Sequence, residues 1–508
     1  MPGPGRWTVP LVATGCVLPL YAVWAVALAT GGGDLAAQFA WAGFASRHPA
    51  SAYNLFWYGG THTANYSLLT PYLMAWFGAR TVSVLAGLGG TWVLSLIVVR
   101  SGVRWPAAPA LLGALALWCN VASGRTTFAV GVAAGLLAVL RMERRVAGPV
   151  CAAITTMASP VAGLFLVVLA GAQLLDRRWR TALGLALPPF AVVAVTTLAF
   201  PFQGEQPMAA GKLWMPLAVC AALGIAARHR LVRYSALVYG AGVVLTYLIP
   251  SPIGTNVERL VGLAGPVVLL AAALAERTAV RRAVLAAALC LNCYWLVDKT
   301  VDDLRVSTTV PAWASDTRGV VTALRGLRAD RTRVEVVPAR NHREATLLAP
   351  HVNMARGWNR QLDVERGRLF YDGSLTAATY RAWLDRFAVG YVVLHDGRPD
   401  GPAEGEAALV RSGPHWLQPV WRDAHWRIYR VRGAKPLVEA PASVVRGGDA
   451  RLVVHMPRPG TVTVRIAYSP WLRASGGGSV HPRGPWTGLT VKRAGDYRLG
   501  SGYRALVG

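Results

Sequence analysis

TVSVLAGLGGTWVLSLIVV (residues 81–99), closed by Arg100 and Arg104, decides how this chain is read. The run carries no charge and is about as long as a bilayer's hydrocarbon core requires of a helix rising about 1.5 Å per residue. Working outward, comparable apolar cores stand at 8–29, 107–123, 126–140, 147–159, 161–175, 181–200, 213–227, 234–250, 259–275 and 281–297. The pair 147–159 and 161–175 also reads as one broken helix. The sequence therefore predicts a polytopic α-helical membrane domain over residues 1–302, with about 11 spans. Of the 508 residues, 54% are hydrophobic and 15% charged. Charge is concentrated after residue 303, where the sequence takes on an ordinary soluble character.

Basic clusters punctuate the apolar runs: Arg100 and Arg104; Arg141, Arg144 and Arg145; Arg177, Arg178 and Arg180; Arg228, Arg230 and Arg233; Arg277, Arg281 and Arg282. With a cytoplasmic N-terminus and eleven crossings, all five fall on one side, as the positive-inside rule requires. The formal charge of +27 is then explained by topology and anionic lipid rather than by nucleic acid, for which no motif is present. Arg6 and the apolar stretch from Trp7 to Thr30 resemble a signal peptide, but the stretch is long for one and reads as a retained first helix. All six cysteines lie in the apolar half. Cys290-x-x-Cys293 sits inside an apolar run without polar partners and reads as core packing, not a metal site.

This topology places the loops 31–80, 124–125, 201–212 and 251–258, and the whole tail, outside. The first loop is the longest and is rich in aromatics, among them Trp41, Tyr53, Phe56, Trp57, Tyr58, Tyr66, Tyr72 and Trp76. They are expected to anchor it at the membrane surface or to stack on a sugar or prenyl chain. Helix-like spacing runs over 35–46, and 66–77 reads as a segment that dips inward. Asp34, after three glycines, is the only acidic residue between Met1 and Leu140. It suits a helix N-cap, a catalytic acid or base, or both. His48 and His62 share its loop. Arg125 and Arg259 break the positive-inside pattern at short outer turns, which points to a local anionic partner; a guanidinium grips phosphate with a bidentate fork. Lys212 and Arg80 are further phosphate-binding candidates. Glu258 is either a substrate contact or the counter-ion of Arg259, and Trp57 and Tyr58 join the substrate-binding candidates. One acid plus several cations at an outer membrane mouth suits transfer of a sugar from a polyprenyl-phosphate donor: the acid deprotonates a hydroxyl and the cations hold the departing phosphate.

With Gly32-Gly-Asp-Leu-Ala-Ala-Gln38 after the first helix, a long first outer loop, and a multi-helix domain followed by an outer soluble part, the chain resembles the GT-C superfamily of polytopic glycosyltransferases. The layout is similar to actinobacterial arabinosyl- and mannosyltransferases of cell-envelope assembly. The resemblance implies lipid-phosphate-sugar donors, an envelope glycan acceptor, extracytoplasmic chemistry at the plasma membrane, and a catalytic acid at Asp34. It departs from the family where a paired Asp-Asp or Asp-x-Asp would stand, so the cofactor is unknown and a divalent cation has no motif here. The alternatives are a transporter or flippase and a non-catalytic assembly protein.

The tail reads as an extracytoplasmic α/β module (303–435) followed by a small β-sandwich (436–508). A helix is expected over 319–327, strands at 333–337 and 389–395, an amphipathic helix over 375–387, and a hairpin of 416–421 with 426–431. Arg356-Gly-Trp-Asn-Arg-Gln-Leu-Asp363 is its densest polar stretch. Arg356, Trp358, Asn359, Arg360 and Asp363 suit carbohydrate contact; the plainer reading is a solvated loop whose Trp packs on the domain. No nucleophile, metal or phosphate-loop motif occurs there.

Overall fold

The computed structural model describes residues 7–503; Arg6 lies outside the described residues. The chain divides into two units, residues 1–30 with 67–308, and residues 31–66 with 309–508.

In the first unit, each of the expected apolar cores lies on a helix. Among the described residues, six helices are long and apolar enough to cross a membrane: Thr8–Leu28, Ala79–Arg100, Trp179–Ala199, Arg230–Leu248, Gly254–Ala275 and Ala279–Thr308. Ala107–Ala122, Thr126–Leu140, Ala147–Ala158, Pro160–Leu175 and Ala210–Ala226 are apolar but shorter. Large apolar side chains such as Val26, Leu198 and Ile225 face outward from the unit, the reverse of a water-soluble bundle. Cys290 is likewise exposed, so it is not the core residue expected. Small residues allow close helix approach: a Cβ on Gly113 would lie 2.4 Å from Leu94 and 2.8 Å from Val267.

The break between Ala147–Ala158 and Pro160–Leu175 has a local cause. Proline at the first helical position cannot continue the preceding helix, and Ser159 caps the new one by accepting from the Ala162 amide. The carbonyls freed by the break are met from the chain at 67–70. Leu68 N donates to Met157 O at 3.0 Å, and Thr70 Oγ1 donates to Ala158 O at 3.1 Å. The following helix, Thr70–Phe77, leaves Trp76 and Phe77 exposed.

The second unit contains a four-stranded sheet in the order Arg333–Val336, Val389–His395, Trp426–Val431, Leu417–Arg422; the first pair is parallel and the others antiparallel. Helices Arg318–Gly326 and Ala377–Arg386 stand at the expected places. Beyond it, a four-stranded and a three-stranded sheet share one core, with Leu452, Val454 and Leu499 from one and Val462, Val464 and Leu489 from the other. This is a small β-sandwich.

Two expectations are corrected. The composition changes at residue 303, but helix Ala279–Thr308 continues through Asp302, Asp303 and Arg305, so the structural boundary falls at Thr308. Residues 31–66 are not a loop of the helical domain; they fold with the tail. Tyr53, Leu55 and Phe56 lie in the sandwich core. Arg333, fully buried, donates to the carbonyls of Leu55, Phe56 and Phe387. Trp41, Trp57 and Tyr58 are buried too, so these aromatics are packing residues rather than interfacial anchors.

Candidate functional site

The helical unit holds a partly open cavity of about 120 Å³ whose lining includes Arg125, Glu258, Arg259 and Lys299. That is room for several waters or a group of phosphate size. Arg125 follows Gly124, whose φ of +78° lets the chain turn tightly between two helices. Its Nη2 donates to Asp303 Oδ2 at 2.8 Å. Arg259 opens helix Arg259–Ala275 and sits 5.1 Å from the Phe128 ring centroid. Lys299 comes from helix Ala279–Thr308, one turn beyond Trp295, with Trp295, Leu296 and Thr300 lining the same wall. Its Nζ donates to Glu258 Oε2 at 2.6 Å.

Neutral polar groups complete the wall: Asn120, Ser123, Thr255, Asn256 and Thr300. Asn120 is 5% exposed, and its Nδ2 has no hydrogen-bond partner. A buried amide donor left unmade costs about 1–3 kcal/mol unless something accepts from it. The cavity therefore combines three cationic side chains, two of them paired with Asp303 and Glu258, with an unused donor, and this net positive wall suits an oxyanion.

Three sequence-derived candidates, Arg125, Glu258 and Arg259, meet at this cavity. Glu258 was expected either at a substrate or beside Arg259; it binds Lys299. Lys299 and Asn120 were not anticipated. Their signal was an ionisable or amide side chain beside otherwise apolar helical sequence. Lys212 is exposed at the end of turn Ala210–Lys212 and does not line the cavity. Arg80 donates its Nε hydrogen to Ala29 O at 2.9 Å and is occupied with closing the first helix.

The other candidates stand on the second unit. Gly33, at φ +66°, holds the cap position of helix Asp34–Arg47, so Asp34 is its half-buried first residue and not the cap. His48 Nε2 lies 2.6 Å from Asp449 Oδ1, and Arg47 Nη2 lies 2.8 Å from Oδ2. Burial pushes the Asp449 carboxyl up, but these two partners outweigh it and hold it below the usual carboxylate range. His62 is buried, with Nε2 2.9 Å from Ser469 Oγ. The buried Tyr58 hydroxyl donates to Gly357 O at 2.8 Å, and Trp57 packs against Gly357.

Within the stretch 356–363, Arg356, Asn359, Leu362 and Asp363 are buried, and Trp358 and Arg360 are half-buried. Arg356 is buried, with Nη2 2.7 Å from Glu335 Oε1 and a second bond to Glu406. Burial pushes the Glu335 and Glu406 carboxyls up, against the pull of Arg356. Trp358 stacks on His342 at 3.6 Å and donates to Gly33 O. Asn359 caps helix Arg360–Arg366. Arg360 Nη2 pairs with Asp400 at 2.6 Å, and Tyr371 donates to Asp363 at 2.5 Å. These side chains are spent on folding, as are His48, His62, Trp57 and Tyr58. Five polar residues in eight look like a binding loop in sequence, whereas Arg356 and Trp358 find partners far along the chain, at Glu335, Glu406 and Gly33.

Comparison with known proteins gives three results. A family model described as "Domain of unknown function (DUF8823)" matches residues 439–483, within the β-sandwich. No curated protein matches the chain. Among solved structures, the cryo-EM structure of arabinofuranosyltransferase AftD from Mycobacteria aligns over 89% of this chain and 41% of that one, with 16% identity and a TM-score of 0.43. The chain thus spans about two-fifths of that protein's length.

Proposed function

We propose that this chain is an integral membrane glycosyltransferase that moves a sugar from a polyprenyl-phosphate donor to a cell-envelope glycan or similar acceptor on the extracytoplasmic side. The observation that carries the reading is the polar cavity with Arg125, Arg259 and Lys299 on its wall in an otherwise apolar helical unit. Charge inside such a unit is costly and is kept where it binds something. The topology belongs to the same proposal: eleven crossings of a plasma membrane, a cytoplasmic N-terminus, and the second unit outside.

In this reading the acceptor hydroxyl attacks the anomeric carbon of the donor. The new bond is carbon to acceptor oxygen, and the bond that breaks joins the anomeric carbon to the phosphate oxygen. The electron pair leaves on that oxygen, where Arg125, Arg259 and Lys299 stabilise it. The hydroxyl proton goes to a base, assigned to Asp34 from the family resemblance.

Membranes containing the full chain, given a panel of labelled polyprenyl-phosphate sugars and an envelope acceptor, test the proposal. Transfer is expected from wild type and is expected to fall at least roughly a hundredfold in Arg259→Gln. Asp34→Asn, still folded and inserted, is expected to abolish it. No transfer with any donor rejects the enzyme; transfer that survives Asp34→Asn keeps the enzyme and removes Asp34 as its base.

A further inference from the structure

Glu258 has no part in the chemistry just described, yet it is the one carboxylate among the described residues lining the cavity, and it is 2% exposed. It stands against Lys299 at 2.6 Å and follows directly into Arg259. A site that only needed to hold phosphate tightly would do better without it. Its presence makes sense once substrate and product are compared by charge.

A polyprenyl-phosphate sugar is a phosphodiester and carries one negative charge. Sugar transfer leaves a phosphomonoester, which carries about 1.5 to 2 negative charges near neutral pH. The desolvation cost of leaving water for a wall of buried groups such as Glu258 and Asn120 grows with the square of the charge, whereas attraction to fixed cations grows only linearly. A buried carboxylate raises the cost of the second charge further.

We infer that Glu258 tunes the cavity to hold the singly charged phosphodiester and to release the more highly charged phosphomonoester, so that it governs product release. This rests on the reading of the cavity as the donor-phosphate site. Glu258 is on this account a specificity-determining residue that acts through the charge of the site and its hold on Lys299.

The test measures binding rather than turnover. The full chain in zwitterionic lipid nanodiscs is titrated at pH 8 with a polyprenyl monophosphate, with its methyl phosphodiester, and with inorganic phosphate. Wild type is expected to bind the diester more tightly than the monoester, and inorganic phosphate far more weakly than either. Glu258→Gln removes one negative charge, which a doubly charged ligand feels twice; a gain for the diester on the order of tenfold should become on the order of a hundredfold for the monoester. The double variant E258Q/K299M removes one charge of each sign and is expected to return the diester-to-monoester ratio to the wild-type value. That return separates charge from geometry and covers the case in which E258Q alone folds poorly. Equal gains for both lipids in E258Q, or a double variant that keeps the altered ratio, overturn the inference while leaving the transferase reading intact if wild type still transfers sugar. Failure of wild type and Arg259→Gln alike to bind either lipid overturns the donor-site reading itself. Inorganic phosphate binding as tightly as the lipids assigns the cavity to free phosphate and overturns both.

Discussion

Replacing Arg356 with leucine should destabilise the second unit strongly, and in a pH-dependent way. Arg356 is 2% exposed and Glu335 and Glu406 are fully buried, so the substitution leaves two carboxyls inside the protein without their cation. The lost contacts include the 2.7 Å pair with Glu335 and packing 4.0 Å over the Phe370 ring. Removing one member of a buried ion pair typically costs about 3–5 kcal/mol. At about 1.4 kcal/mol per factor of ten, amide protection should fall between roughly a hundredfold and a few thousandfold. Strand Val389–His395, buried along its whole length, is the place to read it by hydrogen exchange on the full chain. The sign of the pH effect follows from the raised carboxyls. With Arg356 gone they are more stable neutral in the folded state than in the unfolded one. The deficit should therefore be largest at pH 7.5 and shrink towards pH 5, approaching the unfolded glutamate value of about 4.3. Protection reduced by less than about tenfold, or by the same factor at both pH values, would refute the buried-network account and return 356–363 to the surface.

Other outcomes follow from the same geometry. Asp449 is held below the usual range by His48 and Arg47, so it contributes stability above the unfolded value of about 3.9 that is lost as pH falls through its folded value; D449N should flatten that acid limb of the unfolding curve and cost about 1–2 kcal/mol at pH 7. Gly357→Ala would place a Cβ 2.0 Å from Trp57, and the full chain should lose about 1–3 kcal/mol in denaturant titration of the second unit. Arg333→Met should expose the segment 31–66 to limited proteolysis, because it strips the donors from the Leu55 and Phe56 carbonyls; cleavage unchanged from wild type would contradict that anchoring role.

The helical cores were legible from sequence because their cause is local: an uncharged run of sufficient length forms its own hydrogen bonds and needs no partner to declare itself. The strand Val389–His395 and the hairpin around Asp423 were legible for the same kind of reason, since a short apolar run and the turn residues that bound it are written into neighbouring positions. That Arg125, Glu258 and Arg259 line one cavity was partly visible, as charges out of place at helix ends. Tertiary structure alone decided the rest. Lys299 meets Glu258 across 41 residues, and Arg125 meets Asp303 across 178, so no window of sequence contains either pair. Residues 31–66 carry aromatics that an interface or a core would accept equally well; pairing with Arg333, Gly357 and Asp449, hundreds of residues away, made them core. Hydrophobic pattern states how much a segment wants to be buried, and only the packed chain states against what.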